Sequence, residues 1–143
     1  MGGAGIQADI KAMGSLDVHC CTVITAVTAQ NTTSVDGILP VTEDMVQAQL
    51  EAVLKDVDIK AIKTGMLYSP EIVEVVADFL EDHEVPLIVD PVMVATVGDS
   101  LATKDLARSI KRELIPICEL ITPNLREAEI LADSILILHF KVF

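Results

Sequence analysis

Short β-branched runs alternate along this chain with longer segments whose apolar residues recur every three or four positions. That alternation limits the fold more than any other feature. Ile6, Ile10, Met13 and Leu16 predict a helix over residues 5–16. Val46, Leu50, Val53, Leu54 and Val57 mark a second helix, with Thr42 as its cap and Glu43 and Asp44 in its first turn. Ile72, Val75, Val76, Phe79 and Leu80 form the stripe of a third, capped by Ser69 with Pro70 at its first position. Leu106, Ile110 and Leu114 mark a fourth that stops near Pro116, and Asn124 opens a fifth ending near Ala132. Residues 20–28, 61–64, 87–91 and 118–122 read as the intervening strands, and 31–40 and 96–100 as loops.

Strands alternating with helices are the pattern of βαβ units. The expected fold is α/β, with a mainly parallel sheet between helical layers. At 143 residues the chain fits one domain with a real core, and its 3% aromatic content makes that core aliphatic. The formal net charge of −12 argues against nucleic acid and against anionic membrane surfaces as partners. It leaves ATP possible through helix N-termini, Mg²⁺ and a few lysines. Cys20, Cys21 and Cys118 show no metal-ligand spacing, and no signal-peptide pattern is present. Reduced, buried thiols in a cytoplasmic protein are the expectation. No apolar run is long enough to span a bilayer.

Open α/β sheets bind ligands at the C-terminal ends of their strands. Gln30, Gly65-Met66, Asp90 and Asn124 all fall at or just beyond such ends. Gly2-Gly3-Ala4-Gly5 allows close approach to backbone, though a flexible terminus explains it equally. Asp9, one turn into the first helix, reads from spacing alone as a solvated acid favoured by the helix dipole. Gln30 offers a carboxamide that donates and accepts at once, or caps a loop. Asp90 before Pro91 suits an acid near Mg²⁺ or phosphate, or one satisfied by backbone N–H groups. Asn124 and Glu127 have the spacing of a capping box. Lys63 reads as a strand residue without special role, and His19, His83 and His139 have no partner pattern.

Five motifs, taken in order, resemble those of the hydroxymethylpyrimidine/phosphomethylpyrimidine kinases of thiamine biosynthesis, in the ribokinase-like superfamily. They are Gly2-Gly3-Ala4-Gly5-Ile6-Gln7-Ala8-Asp9, Thr25-Ala26-Val27-Thr28-Ala29-Gln30-Asn31-Thr32, Lys63-Thr64-Gly65-Met66-Leu67, Asp90-Pro91-Val92-Met93-Val94 and Thr122-Pro123-Asn124-Leu125-Arg126-Glu127-Ala128. The resemblance implies a three-layer α/β/α domain, with residues 1–133 forming its N-terminal part and 134–143 an apolar tail without a match. It implies transfer of the ATP γ-phosphate to 4-amino-5-hydroxymethyl-2-methylpyrimidine and then to its monophosphate. By the same resemblance Gly5, Asp9, Gln30, Met66 and Val92 surround the pyrimidine, Asn124 lies by the nucleotide phosphates, and Asp90 and Glu127 lie near Mg²⁺.

Four departures accompany the match. Thr28 stands where an apolar residue is usual, and Thr96 where some members carry Lys. The family's first strand is not found before the Gly turn. Its Lys-Gly-Gly segment and Gly-Thr-Gly-Cys turn, which supply an anion hole and the supposed base, are not found after Ala132. Loss of an anion hole alone costs about 10²–10³ in rate, so a chain without its base is expected to be an incomplete kinase. Two other readings stay open: a pyridoxal-type kinase of the same superfamily, and a non-catalytic fragment that binds pyrimidine or pairs with another chain. A homo-oligomer formed through the apolar tail belongs to the last.

Overall fold

The computed structural model describes residues 3–81, 83–93 and 100–134. Gly2, Val94, Thr96, His139 and the tail from residue 135, all named above, lie outside the described residues. The chain runs through α1 (Gly5–Gly14), β1 (Ala26–Gln30), β2 (Val35–Pro40), α2 (Glu43–Asp56), β3 (Ile62–Thr64), α3 (Pro70–Glu81), β4 (Leu87–Val89), α4 (Ser100–Ser109), β5 (Leu120–Ile121) and α5 (Leu125–Ala132). A π turn (Ile110–Leu114) and a 3₁₀ turn (Ile115–Ile117) continue α4 and end it around Pro116.

Strands β3, β4 and β5 form a parallel sheet in that order. Ile62 pairs with Leu87 and Thr64 with Val89, while Val89 pairs with Ile121. Side chains alternate across a strand, so Ile62, Thr64, Leu87, Val89 and Ile121 share one face. That face meets the core, where Val46, Ile72, Val73 and Leu114 are at most 1% exposed. Burying each such side chain contributes about 1.5–3 kcal/mol. The α2–α5 helices supply this layer, α2 lying beside α3, α3 beside α4, and α4 beside α5. Lys63, Ile88 and Leu120 take the opposite face, and α1 approaches it through Asp9. The three-layer α/β/α expectation therefore stands.

The α3 start follows the expected chemistry. The Ser69 hydroxyl accepts from Ile72 N–H at 3.4 Å, and Pro70 occupies the first helical position. A bond from its own backbone N–H, then one from Ser69, holds the Glu71 carboxyl below its ordinary range. Thr42 differs: it stands at the N-cap of α2, but its side chain makes no capping bond. The acids Glu43 and Asp44 in the first turn favour the helix start instead.

The stretch read as a loop over 31–40 is a correction. Val35–Pro40 is a strand, paired antiparallel with β1, with a bulge between Ala29 and Gln30. The turn formers close a hairpin rather than fill a loop. Asn31 Oδ1 accepts from the N–H groups of Thr33 (2.8 Å) and Ser34 (2.9 Å). The strand read over 20–28 is likewise displaced to Ala26–Gln30. Upstream of it, side chains replace ladder bonds: Ile24 N–H donates to Gln49 Oε1 (2.9 Å) and Gln49 Nε2 donates to Ile24 O (3.0 Å). The other strands are shorter than read, and α1 ends at Gly14 rather than Leu16. The cysteines are free but half-buried, not buried as expected.

Candidate active site

The parallel ladder continues past the ends of its strands. Asp90 N–H donates to Thr64 O at 3.1 Å, and Thr122 N–H to Val89 O at 2.9 Å. These bonds bring Gly65-Met66, Asp90 and the 122–124 segment to one edge, as the strand-end argument requires. Thr25 Oγ1 donates to Met66 O at 2.6 Å and joins the start of the hairpin to that edge.

Lys63 is the centre of the edge. Its Nζ lies 3.1 Å from both Asp9 oxygens and 3.2 Å from Asp90 Oδ2. The three side chains are 25%, 31% and 30% exposed, so solvent screens them less than surface charges. Burial alone would lower the ammonium's affinity for its proton. The hydrogen bonds to Asp9 and then Asp90 outweigh it and hold the Lys63 pKa above its ordinary value. One ammonium against two carboxylates leaves the cluster with one net negative charge. Such a cluster attracts a further cation or a hydrogen-bond donor.

Two readings of single residues change here. Asp9 is not a solvated helix acid, but a half-buried partner of a lysine 54 positions away. Lys63 is not a neutral strand residue. Its signal was available: Ile62 and Thr64 turn to the core, so a lysine between them must end on the other face.

Gly5 has φ +63°, a left-handed conformation that favours glycine and turns the chain into α1. Met66 and Val92 are half-buried at the same edge, where Val92 N–H donates to Asp90 O at 2.8 Å. Gln30 is exposed at the end of β1, and its Oε1 accepts from Thr28 Oγ1 at 3.5 Å. The structure thus joins Asp9 and Asp90 through Lys63 and leaves Gln30 on the hairpin. Asn124 and Glu127 form a full capping box, with Glu127 N–H to Asn124 Oδ1 at 3.0 Å and Asn124 N–H to Glu127 Oε2 at 2.9 Å. Glu127 is buried and Asn124 exposed.

Among the described residues no group of three His, Cys, Asp or Glu side chains is placed to cage a metal. Mg²⁺ needs no such cage, since one or two carboxylates with phosphate oxygens and water suffice. Asp90 and Glu127 are hard oxygen donors of that type. Burial first, then the charge of Asp9 and Cys21, push the Cys20 thiol pKa up. Two depressions of about 420 and 370 Å³ lie elsewhere, one around Arg126 and Asp133 and one around His83 and Glu119. Among the described residues no helix is long and apolar enough to cross a membrane.

This fold, with its acids at the sheet edge, is that of the ribokinase-like kinases. The chain is similar to the crystal structure of phosphomethylpyrimidine kinase from Clostridium difficile 630, with TM-score 0.84 and 38% identity over 94% of this chain and 59% of that one. It is also similar to pyridoxal kinase from Staphylococcus aureus solved with AMP-PCP and pyridoxal, with TM-score 0.79 and 33% identity over 94% and 48%.

Residues 1–139 match the phosphomethylpyrimidine kinase family, and the chain belongs to that family. It is 45% identical to the hydroxymethylpyrimidine/phosphomethylpyrimidine kinase of Rhizobium meliloti, covering 91% of this chain and 49% of that protein. It is 48% identical to the enzyme of that name from Mycobacterium tuberculosis, covering 92% and 49%. The chain spans about half the length of these relatives.

Proposed function

We propose that this chain binds 4-amino-5-hydroxymethyl-2-methylpyrimidine at the edge formed by α1, β3 and β4. It serves the ATP-dependent phosphorylation of the hydroxymethyl oxygen, and then of the monophosphate, in thiamine biosynthesis. The observation that carries this reading is the Asp9–Lys63–Asp90 cluster at the strand ends of a family member. Gly5, Asp9, Met66 and Val92 are assigned to the pyrimidine, and Gln30 to it from the hairpin. Asn124 is assigned to the nucleotide phosphates. Asp90 and Glu127 would hold Mg²⁺, which when bound neutralises phosphate charge.

Phosphoryl transfer asks a protein mainly for positioning and charge neutralisation. Asp9 accepts hydrogen bonds from the donor groups of the heterocycle, Met66 and Val92 present apolar surface to its ring, and Gly5 lets backbone approach it. The catalytic base is assigned to none of these residues. Three free thiols suit the reducing cytoplasm. A pyridoxal-type kinase is the second reading, because pyridoxal kinases share the fold. Their identity of 30–33% is lower than the 38–48% of the pyrimidine kinases, which favours the pyrimidine.

The test is incubation of the chain with γ-labelled MgATP and either the pyrimidine or pyridoxal, with binding of each alcohol followed by calorimetry. Labelled pyrimidine phosphate, or selective pyrimidine binding, supports the reading. Preference for pyridoxal, or no binding of the pyrimidine by folded protein, overturns it.

A further inference from the structure

Helix α1 has no buried residue. Apolar packing therefore fixes its position weakly, and polar contacts carry more of that task than in α3, where five residues are buried. The Asp9–Lys63 contact is symmetric, at 3.1 Å to each carboxylate oxygen. Placed equally between both oxygens, the ammonium fixes the distance of the Asp9 carboxylate and turns its open edge toward Lys63. Lys63 is itself anchored at 3.2 Å to Asp90, just past β4. The lysine cannot follow Asp9 away from the sheet without breaking that second contact. Each carboxylate oxygen accepts about two hydrogen bonds, so an Asp9 held by Lys63 retains capacity for a ligand donor.

We propose that Lys63 is a positioning residue, which holds the Asp9 carboxylate and the start of α1 at the sheet edge in the orientation that pyrimidine binding requires. This rests on the pyrimidine reading above. It makes Lys63 part of substrate recognition without contact to substrate.

The experiment is calorimetric titration of the hydroxymethylpyrimidine into the wild-type chain, Lys63→Met, Lys63→Gln, Lys63→Arg, Asp9→Asn and the Lys63→Met/Asp9→Asn double variant. Thermal unfolding of each is followed separately by circular dichroism. Lys63→Met, which releases the Asp9 carboxylate, is expected to weaken pyrimidine binding by about tenfold or more. Lys63→Gln, which stays polar but is uncharged and one bond shorter, gives the same loss if Lys63→Met does not fold. Lys63→Arg recovers most of the affinity. The double variant binds no more weakly than Asp9→Asn alone, because both changes remove one arrangement.

A lysine with a purely structural role would lower the unfolding temperature and leave the affinity of the folded molecules unchanged. Wild-type affinity in folded Lys63→Met or Lys63→Gln, or additive losses in the double variant, would overturn the proposal while leaving the pyrimidine reading intact. Failure of the wild-type chain to bind the pyrimidine would remove that reading, and this proposal with it.

Discussion

Lys63 and Asp9 stand 54 positions apart in the chain, yet the lysine Nζ lies 3.1 Å from both carboxylate oxygens. The contact ties α1, on the second face of the sheet, to the strand that carries the site. It also gives the site a defined pH response.

The Lys63 pKa is raised in the folded chain above its ordinary 10.5. A raised lysine pKa stabilises the fold fully below the unfolded value and loses that contribution as pH rises through the folded one. The stability difference between wild type and Lys63→Met should thus stay constant from about pH 7 to 9 and shrink above about 10.5. Urea unfolding of both proteins across that range checks it. A difference that shrinks between pH 5 and 8 would point to another group.

Asn124 and Glu127 cap α5 reciprocally. Removal of a capping side chain costs about 1 kcal/mol, so Asn124→Ala should lower stability by that amount in urea unfolding. Asn124→Asp, which keeps the acceptor, should cost less.

Thr64 Oγ1 is buried and has no hydrogen-bond partner among the described residues. Valine keeps the shape and the β-branch and removes the unpaired hydroxyl. Thr64→Val should be neutral or should stabilise by up to about 1 kcal/mol. A clear loss of stability would show that the hydroxyl is bonded in solution.

Gly5 turns into α1 at φ +63°, and among the described residues a Cβ there would meet only the Gln7 side chain, at 3.5 Å. The cost of Gly5→Ala therefore comes from backbone strain and not from a clash, at about 1–2 kcal/mol. The same strain shifts α1, so pyrimidine affinity should fall along with the unfolding temperature.

Local rules made much of the fold legible. The stripe from Ile72 to Leu80 and the Ser69-Pro70 start located α3, and the Asn124/Glu127 spacing announced a capping box that both hydrogen bonds confirm. Short apolar runs placed Asp90 and Gly65 at one sheet edge. Strand β2 was hidden because Gly37 and Pro40 are poor strand formers and the Asn31–Ser34 turn lent its character to the whole stretch. The role of Lys63 was hidden for another reason. An ion pair between α1 and β3 has no sequence period, and only the side-chain alternation of β3 hinted at it. Gln30 was placed at a strand end correctly, but the strand belongs to the hairpin rather than to the parallel sheet.

The most direct test of the site is an NMR titration of the wild-type chain with the hydroxymethylpyrimidine, following backbone amides. The account predicts that shifts concentrate at Gly5–Asp9, Gly65–Met66 and Asp90–Val92, and vanish in Asp9→Asn. Shifts confined to the depressions around Arg126 or His83, or a response unchanged by Asp9→Asn, would contradict it.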